Sequence, residues 1–276
     1  MKAGLVQLCS GDDPVVNLAT TRDLIIQAAA QGAEFILTPE VTNCVSQDRA
    51  HQRAVLQSES DDSTLAGLRA TARDLGIWLS IGSLALKTEG DDGRFANRSF
   101  LIGPDGAIVA RYDKIHMFDV DVSATETFRE SAGFRPGNSA VVAHTPFARI
   151  GLTICYDIRF AYLHRALAQA GAHILLVPAA FSPVTGAAHW EPLLRARAIE
   201  TGCYVLAAAQ TGTHPIGQGK PRQTHGHSMA ISPWGEVLVD MGTDTGTAIV
   251  DLDLAEVAKS RQRIPALTHD RSFEGP

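Results

Sequence analysis

The sequence predicts an α/β protein of four layers, αββα, made of two pseudo-symmetric halves. Three observations carry this expectation. Short apolar, β-rich runs alternate with stretches whose apolar residues recur at helical spacing. Segments of the N-terminal half reappear, in the same order, in the C-terminal half. No stretch stands apart as a linker, so residues 1–276 read as one domain.

Taken in chain order, the expected strands are residues 5–8, 35–38, 77–82, 99–102, 107–110, 150–154, 174–177, 204–209, 229–231 and 237–239. Residues 18–31, 63–75, 160–170 and 190–201 carry apolar side chains three and four apart and are expected as helices over the sheets. The polar insertions at 43–62, 87–96, 118–138 and 212–225 read as solvated surface or as binding loops. Of these, the Gly- and Pro-rich segment from Gly212 to His225 is the preferred mobile lid.

The repeat is specific. AAAQGAEFILTP (28–39) resembles LAQAGAHILLVP (167–178), with Gly32, Ala33, Leu37 and Pro39 opposite Gly171, Ala172, Leu176 and Pro178. LRATARDLGIWL (68–79) resembles LRARAIETGCYV (194–205), and SFLIGPDGAIV (99–109) resembles SMAISPWGEVL (228–238). The last pair are hairpins around P-D-G and P-W-G turns. Each half is then a sheet with helices on one side, and the two bare faces pack together.

Composition narrows the function. With 276 residues and 45% hydrophobic content the chain can bury a full core. A net charge of −6 argues against nucleic acid or an anionic membrane as partner and favours a small molecule. The apolar run at the N-terminus meets Asp12 and Asp13 too soon for a signal peptide or a membrane span. Four cysteines without metal spacing point to free thiols in a reducing cytoplasm.

The repeat also supplies an internal control, because a residue needed only for the fold tends to recur at its twin position. Three chemically useful residues do not recur. Glu40 has Ala179 as its twin, Lys114 has Thr243, and Cys155 has Leu8. All three lie at or just past the carboxyl ends of expected strands, where open α/β sheets place their sites. Cys155 sits where a strand turns into a helix, a corner that presents a nucleophile with backbone N–H groups nearby. Taken singly, Glu40 also reads as a helix cap and Lys114 as a surface charge. Cys9, Cys44 and Cys203 read as small buried hydrophobes. Together the first three predict one cleft, with Ala179, Thr243 and Leu8 gathered across a pseudo-twofold axis.

At TPE (38–40), RYDKIHMFD (111–119) and GLTICYDIRF (151–160) the chain resembles the nitrilase, or carbon–nitrogen hydrolase, superfamily, and the similarity runs from Gly4 to about Arg271. The resemblance implies an αββα fold, a Glu40–Lys114–Cys155 triad with Glu130 as an additional active-site glutamate, no cofactor, and a homodimer or larger assembly. CYDIRF, the segment 179–210 and GHSMAISPWGE look like the Nit amidases, whose substrates are the amides 2-oxoglutaramate and deaminated glutathione; the run 193–210 looks closer to the deaminated-glutathione branch. The implied reaction converts a carboxylate-bearing amide to acid plus ammonia through a thioester. Lys114 and the Tyr156 N–H would stabilise the oxyanion. An N-carbamoyl hydrolase, an acyltransferase on the same triad and a non-catalytic scaffold are the competing readings.

Other residues are read two ways. Arg159, one turn beyond Cys155, either grips a substrate carboxylate or makes a structural salt bridge with Asp157 or a neighbouring helix. Phe181 and Trp190 either line the pocket or pack the core. Thr185, in the stretch that resembles the substrate loop of the Nit amidases, is the second expected substrate contact. His225 and His227 form an H-x-H pattern with no evident third ligand, so no metal is assigned.

Overall fold

A computed structural model of the chain describes residues 1–90, 92–123, 126–217 and 221–275. The N-terminal half runs β1 (Lys2–Gln7), α1 (Pro14–Ala30), β2 (Phe35–Leu37), α2 (Arg49–Val55), α3 (Ser63–Leu75), β3 (Trp78–Leu86), β4 (Phe95–Ile102) and β5 (Ile108–Asp113). A hairpin of β6 (Asp119–Ser123) and β7 (Glu126–Arg129) and the short β8 (Phe134–Arg135) follow. The C-terminal half runs β9 (Val141–His144), β10 (Arg149–Leu152), α4 (Ala161–Gln169), β11 (Ile174–Leu176), α5 (Pro183–Thr201), β12 (Tyr204–Ala207), β13 (Thr211–Thr213), β14 (Gln223–His225), β15 (Met229–Ile231), β16 (Val237–Asp240), β17 (Gly246–Asp251) and α6 (Ala255–Arg263).

The two halves repeat one topology. β1, β2 and β3 pair in parallel and β4 and β5 add antiparallel; β10, β11 and β12 pair in parallel and β15 and β16 add antiparallel. Each sheet is extended by one further antiparallel strand, β17 beside β1 and β9 beside β10. Inward residues of both sheets, among them Leu5, Phe35, Leu37, Ile150, Leu152 and Ile174, share one core. Ile25 and Ala28 of α1 and Leu68 and Ala72 of α3 cover the outer face of the first sheet over Val6, Ile36 and Leu79. Leu163 and Leu167 of α4 and Leu194 and Ala198 of α5 cover the second. The four layers are as the repeat predicts.

Local chemistry sets the helix ends. Asp13 caps α1 ahead of Pro14, Asp62 caps α3, and Gly76 ends α3 in the left-handed conformation at φ 65°. The structure corrects several sequence expectations. The insertion 43–62 contains α2, 118–138 contains β6, β7 and β8, and β9, β17 and α6 were not foreseen. Most of these elements are short, and β17 and β8 form by pairing with the sequence-distant β1 and β4. The stretch VTGAAHW is the first part of α5 rather than a loop. The segment expected as a lid pairs at its two ends as the β13–β14 hairpin, pinned by buried His214, which bonds to Ser10 O at 2.8 Å and Thr224 Oγ1 at 2.8 Å. Residues 218–220 of that segment lie outside the described residues.

Candidate active site

Glu40, Lys114 and Cys155 converge although 74 residues separate the first two. Glu40 follows β2, and its carboxylate meets Lys114 of the first half and Ala180 of the second. The approach there is close: a Cβ on Gly82 of β3 would lie 2.0 Å from Thr38 O and 2.5 Å from both Pro39 O and Pro178 Cβ, so only glycine lets both halves meet at this point. Cys155 follows β10 with φ 49°, a left-handed conformation that costs a non-glycine residue about 1–3 kcal/mol. Its N–H donates to Pro178 O at 2.8 Å, and it opens the 3₁₀ turn Cys155–Arg159. Asp157 of that turn is wholly buried and accepts from Ile154 N (2.9 Å), His116 N (3.0 Å), His116 Nδ1 (2.7 Å) and Tyr112 Oη (2.7 Å). It thereby ties the cysteine turn to the strand end that carries Lys114.

The charges form one buried array. Lys114 Nζ donates to Glu40 Oε1 at 2.8 Å and to Glu130 Oε1 and Oε2 at 3.0 and 2.9 Å. Asn97 Nδ2 bridges the same two carboxylates, at 2.9 Å to Glu40 and 3.3 Å to Glu130. Glu40 Oε2 accepts from Ala180 N at 2.8 Å, and Glu130 Oε2 accepts from Phe118 N at 2.7 Å. Burial pushes the Glu40 carboxyl up, but the Lys114 charge and hydrogen bond, with Arg222, outweigh it and hold Glu40 below the usual carboxylate range. Burial lowers Lys114, yet Glu130 and Glu40 more than offset this and raise it well above an ordinary lysine. Burial and then the Glu40 charge push the Cys155 thiol up, against the opposing pull of Lys114. The resting array is therefore a carboxylate, an ammonium and a protonated thiol in contact.

This array opens into a cavity of about 240 Å³. Tyr156, Phe181 and Thr185 line it. Trp190 does not: it is fully buried behind Phe181, at 4.9 Å between rings, and its Nε1 donates to His227 O at 2.8 Å. Arg159 is not on the cavity wall either. Its guanidinium lies 5.4 Å from the Phe181 ring and 5.7 Å from the Tyr156 ring, with Nη1 3.2 Å from His189 Nδ1, and Asp157 pairs with His116 instead of with it. Sequence reasoning missed wall residues Asn97, Arg49, Phe118, Phe128 and Arg222. Asn97 was within reach of the twin test, since the repeat sets Gly226 opposite it. The twins themselves converge: Leu8 bridges Gln210, Ala179 bridges Ala209, and Thr211 Oγ1 donates to Thr243 O at 2.7 Å.

The chain is similar to known proteins along nearly its whole length. The family profile described as carbon-nitrogen hydrolase matches residues 2–262. The chain belongs to the carbon-nitrogen hydrolase family. Deaminated glutathione amidase of Yersinia enterocolitica is 40% identical over 97% of this chain and 92% of its own length. The omega-amidase of Homo sapiens is 37% identical over 98% and 95%. Among solved structures, the C. elegans NitFhit protein superposes with a TM-score of 0.89 at 34% identity, over 98% of this chain and 65% of that one. A glutamate-to-glutamine mutant of the Nesterenkonia amidase, solved with acrylamide added to its active-site cysteine, gives 0.77 at 28% identity, over 96% and 98%. The fold is that of the nitrilase superfamily.

In this carbon-nitrogen hydrolase the remaining candidates fall into structural roles. His225 and His227 stack at 4.6 Å, and His227 Nδ1 faces Asp240 at 2.9 Å. Among the described residues no group of three or more His, Cys, Asp or Glu side chains is placed to hold a metal. Cys44 and Cys203 are buried, and Cys9 lies half-buried beside His214 at 4.0 Å.

Proposed function

We propose that the chain hydrolyses short carboxylate-bearing amides, of the deaminated glutathione or 2-oxoglutaramate type, through a thioester on Cys155. The observation that carries this is the contact array: an ionised Glu40 against a protonated Cys155, with Lys114 held by two carboxylates. Glu40 takes the thiol proton, the sulfur attacks the amide carbon, and Lys114 with the Tyr156 N–H meets the negative oxygen. Glu40 then gives its proton to the departing nitrogen, which leaves as ammonia from a primary amide or as an amine from a secondary one. It next takes a proton from the water that cleaves the thioester. Glu130 fixes the Lys114 ammonium. No step calls for a cofactor.

The acyl half extends along Phe181 and Thr185, and Arg159 supplies positive charge from between the Tyr156 and Phe181 rings. Arg159→Gln removes that charge, and is expected to lower kcat/KM for a carboxylate-bearing amide several-fold more than for a neutral amide of equal length. Equal losses would assign Arg159 to the fold. The half-exposed Ile199, Trp234 and Ile264 share one surface depression, which supports a homodimer; the free cysteines support the cytoplasm as its location, and residues 1–276 are proposed to act as one domain. Sedimentation of Trp234→Glu against the parent chain tests the dimer; identical masses refute that surface. The reaction itself is tested by following release of ammonia from 2-oxoglutaramate and of free thiol amine from deaminated glutathione, with and without an added amine. Hydrolysis of neither amide, or diversion of all product to the amine, defeats the hydrolase reading.

A further inference from the structure

Arg49 is a cation built into the wall of the Cys155 cavity, and among the described residues it makes no ion pair. It opens α2, whose start is fixed by Asp48, the acceptor for the N–H groups of Ala50 at 2.8 Å and His51 at 3.1 Å. The guanidinium is seated. A Cβ on Gly133 would come within 1.8 Å of its Cζ, it stands 5.2 Å over the Phe134 ring, and its Nη1 donates to Gln52 Oε1 at 2.7 Å. A guanidinium has five N–H donors, and that bond is the one it makes among the described residues. Burial holds the group below an ordinary arginine, ahead of the attraction of Glu130, which is already committed to Lys114. A partly desolvated, oriented and under-neutralised cation favours an anionic ligand.

We propose that Arg49 selects amides whose amine half ends in a carboxylate, which it binds through its planar fork. This rests on the amidase reading above and names the half of the substrate that reading left open. The direction follows from the chemistry of the array. Glu40 hands the proton to the departing nitrogen, so the amine half leaves beside Glu40, and in the same cavity Arg49 stands over Phe134, which packs in one cluster with Val41, Cys44 and Val45. The acyl half is assigned to Phe181 and Thr185 of the same cavity. The step balances: the C–S bond forms, the C–N bond breaks, and the amine departs with the proton that Glu40 took from the thiol. Water then replaces the sulfur at the carbonyl, and a proton returns to Cys155.

Deaminated glutathione, its C-terminal carboxamide and 2-oxoglutaramate share one acyl half and differ in the amine that leaves. The parent chain is expected to show kcat/KM for deaminated glutathione about ten- to hundredfold above that for the carboxamide, and Arg49→Gln to bring the ratio to about one. Arg49→Lys, which has charge without the fork, falls between. Calorimetry on Cys155→Ala, with Arg49 intact, is expected to show the same preference in Kd, so the result does not depend on an Arg49 variant folding. A parent ratio near one, a ratio preserved in Arg49→Gln, or equal Kd values overturns the inference and leaves the amidase reading standing. Hydrolysis of none of the three amides overturns both.

Discussion

At the scale of single residues, the site is a problem of keeping opposite charges buried next to a thiol. Glu40, Lys114 and Glu130 are buried or nearly so, and such an array is tolerated only because every charge has partners, Asn97 included. The protonation states predict the pH profile. In the proposed mechanism Glu40 must be ionised to act as base, and its carboxyl is held below the usual range, so the acid limb of kcat/KM is expected below pH 4.5. Cys155 is raised above its ordinary 9.0 and Lys114 above 10.5, so neither cuts the rate until the solution is well alkaline. A profile flat from about pH 5 to 9 is expected; a limb near neutrality would mean that another group is the base. The backbone makes a separate prediction. Cys155 carries φ 49°, so Cys155→Ala and Cys155→Gly should both lose turnover, while the glycine variant, free of left-handed strain, melts no lower than the alanine one. A markedly lower melting point for Cys155→Gly would show that the strain is absent.

At the scale of elements, the site depends on strand ends from both halves meeting without a side chain between them. Gly82→Ala sets a methyl against Thr38 O, Pro39 O and Pro178 Cβ. It is expected to cost about 2–3 kcal/mol and most of the activity, read from denaturant midpoints and initial rates. Unchanged stability would mean the approach is looser than described. The parallel strands, α1, α3 and α4, and the hairpins were legible in the sequence because they bury continuous apolar runs or periodic faces. Twin comparison isolated Glu40, Lys114 and Cys155, which line one cavity; in the proposed mechanism they do not recur because catalysis, unlike packing, is needed once. It stopped short where position depends on distant partners. α2 is seven residues of mostly polar sequence, and the cavity-wall role of its Arg49 appears only once Phe134 and Gly133 are folded against it. Arg159 has the right helical spacing from Cys155, but the turn there is 3₁₀, so its side chain swings behind Tyr156 and Phe181.

At the scale of the whole molecule, residues of both sheets are buried in one shared core. Buried histidines away from the site set its acid limit. Burial depresses His164 and His214 to about 4 from an ordinary 6.5, because both are held neutral in the fold. The sign follows: the unfolded chain takes up these protons first, so stability is full above pH 6.5 and falls as pH drops toward 4. Each is expected to contribute up to about 3 kcal/mol to that loss. Urea midpoints between pH 7 and 4 read it, and His214→Gln should flatten the slope. A slope unchanged in that variant would remove His214 from the account.

The claim that joins these scales is that Cys155 carries the acyl group. Rapid quenching of the parent chain with deaminated glutathione, followed by intact mass and peptide mapping, measures it directly. The account predicts an adduct of the acyl half alone, confined to the peptide containing Cys155 and lost in Cys155→Ala, with Cys9, Cys44 and Cys203 unmodified. Acylation of any of those three in place of Cys155, or steady turnover by Cys155→Ala, would contradict it.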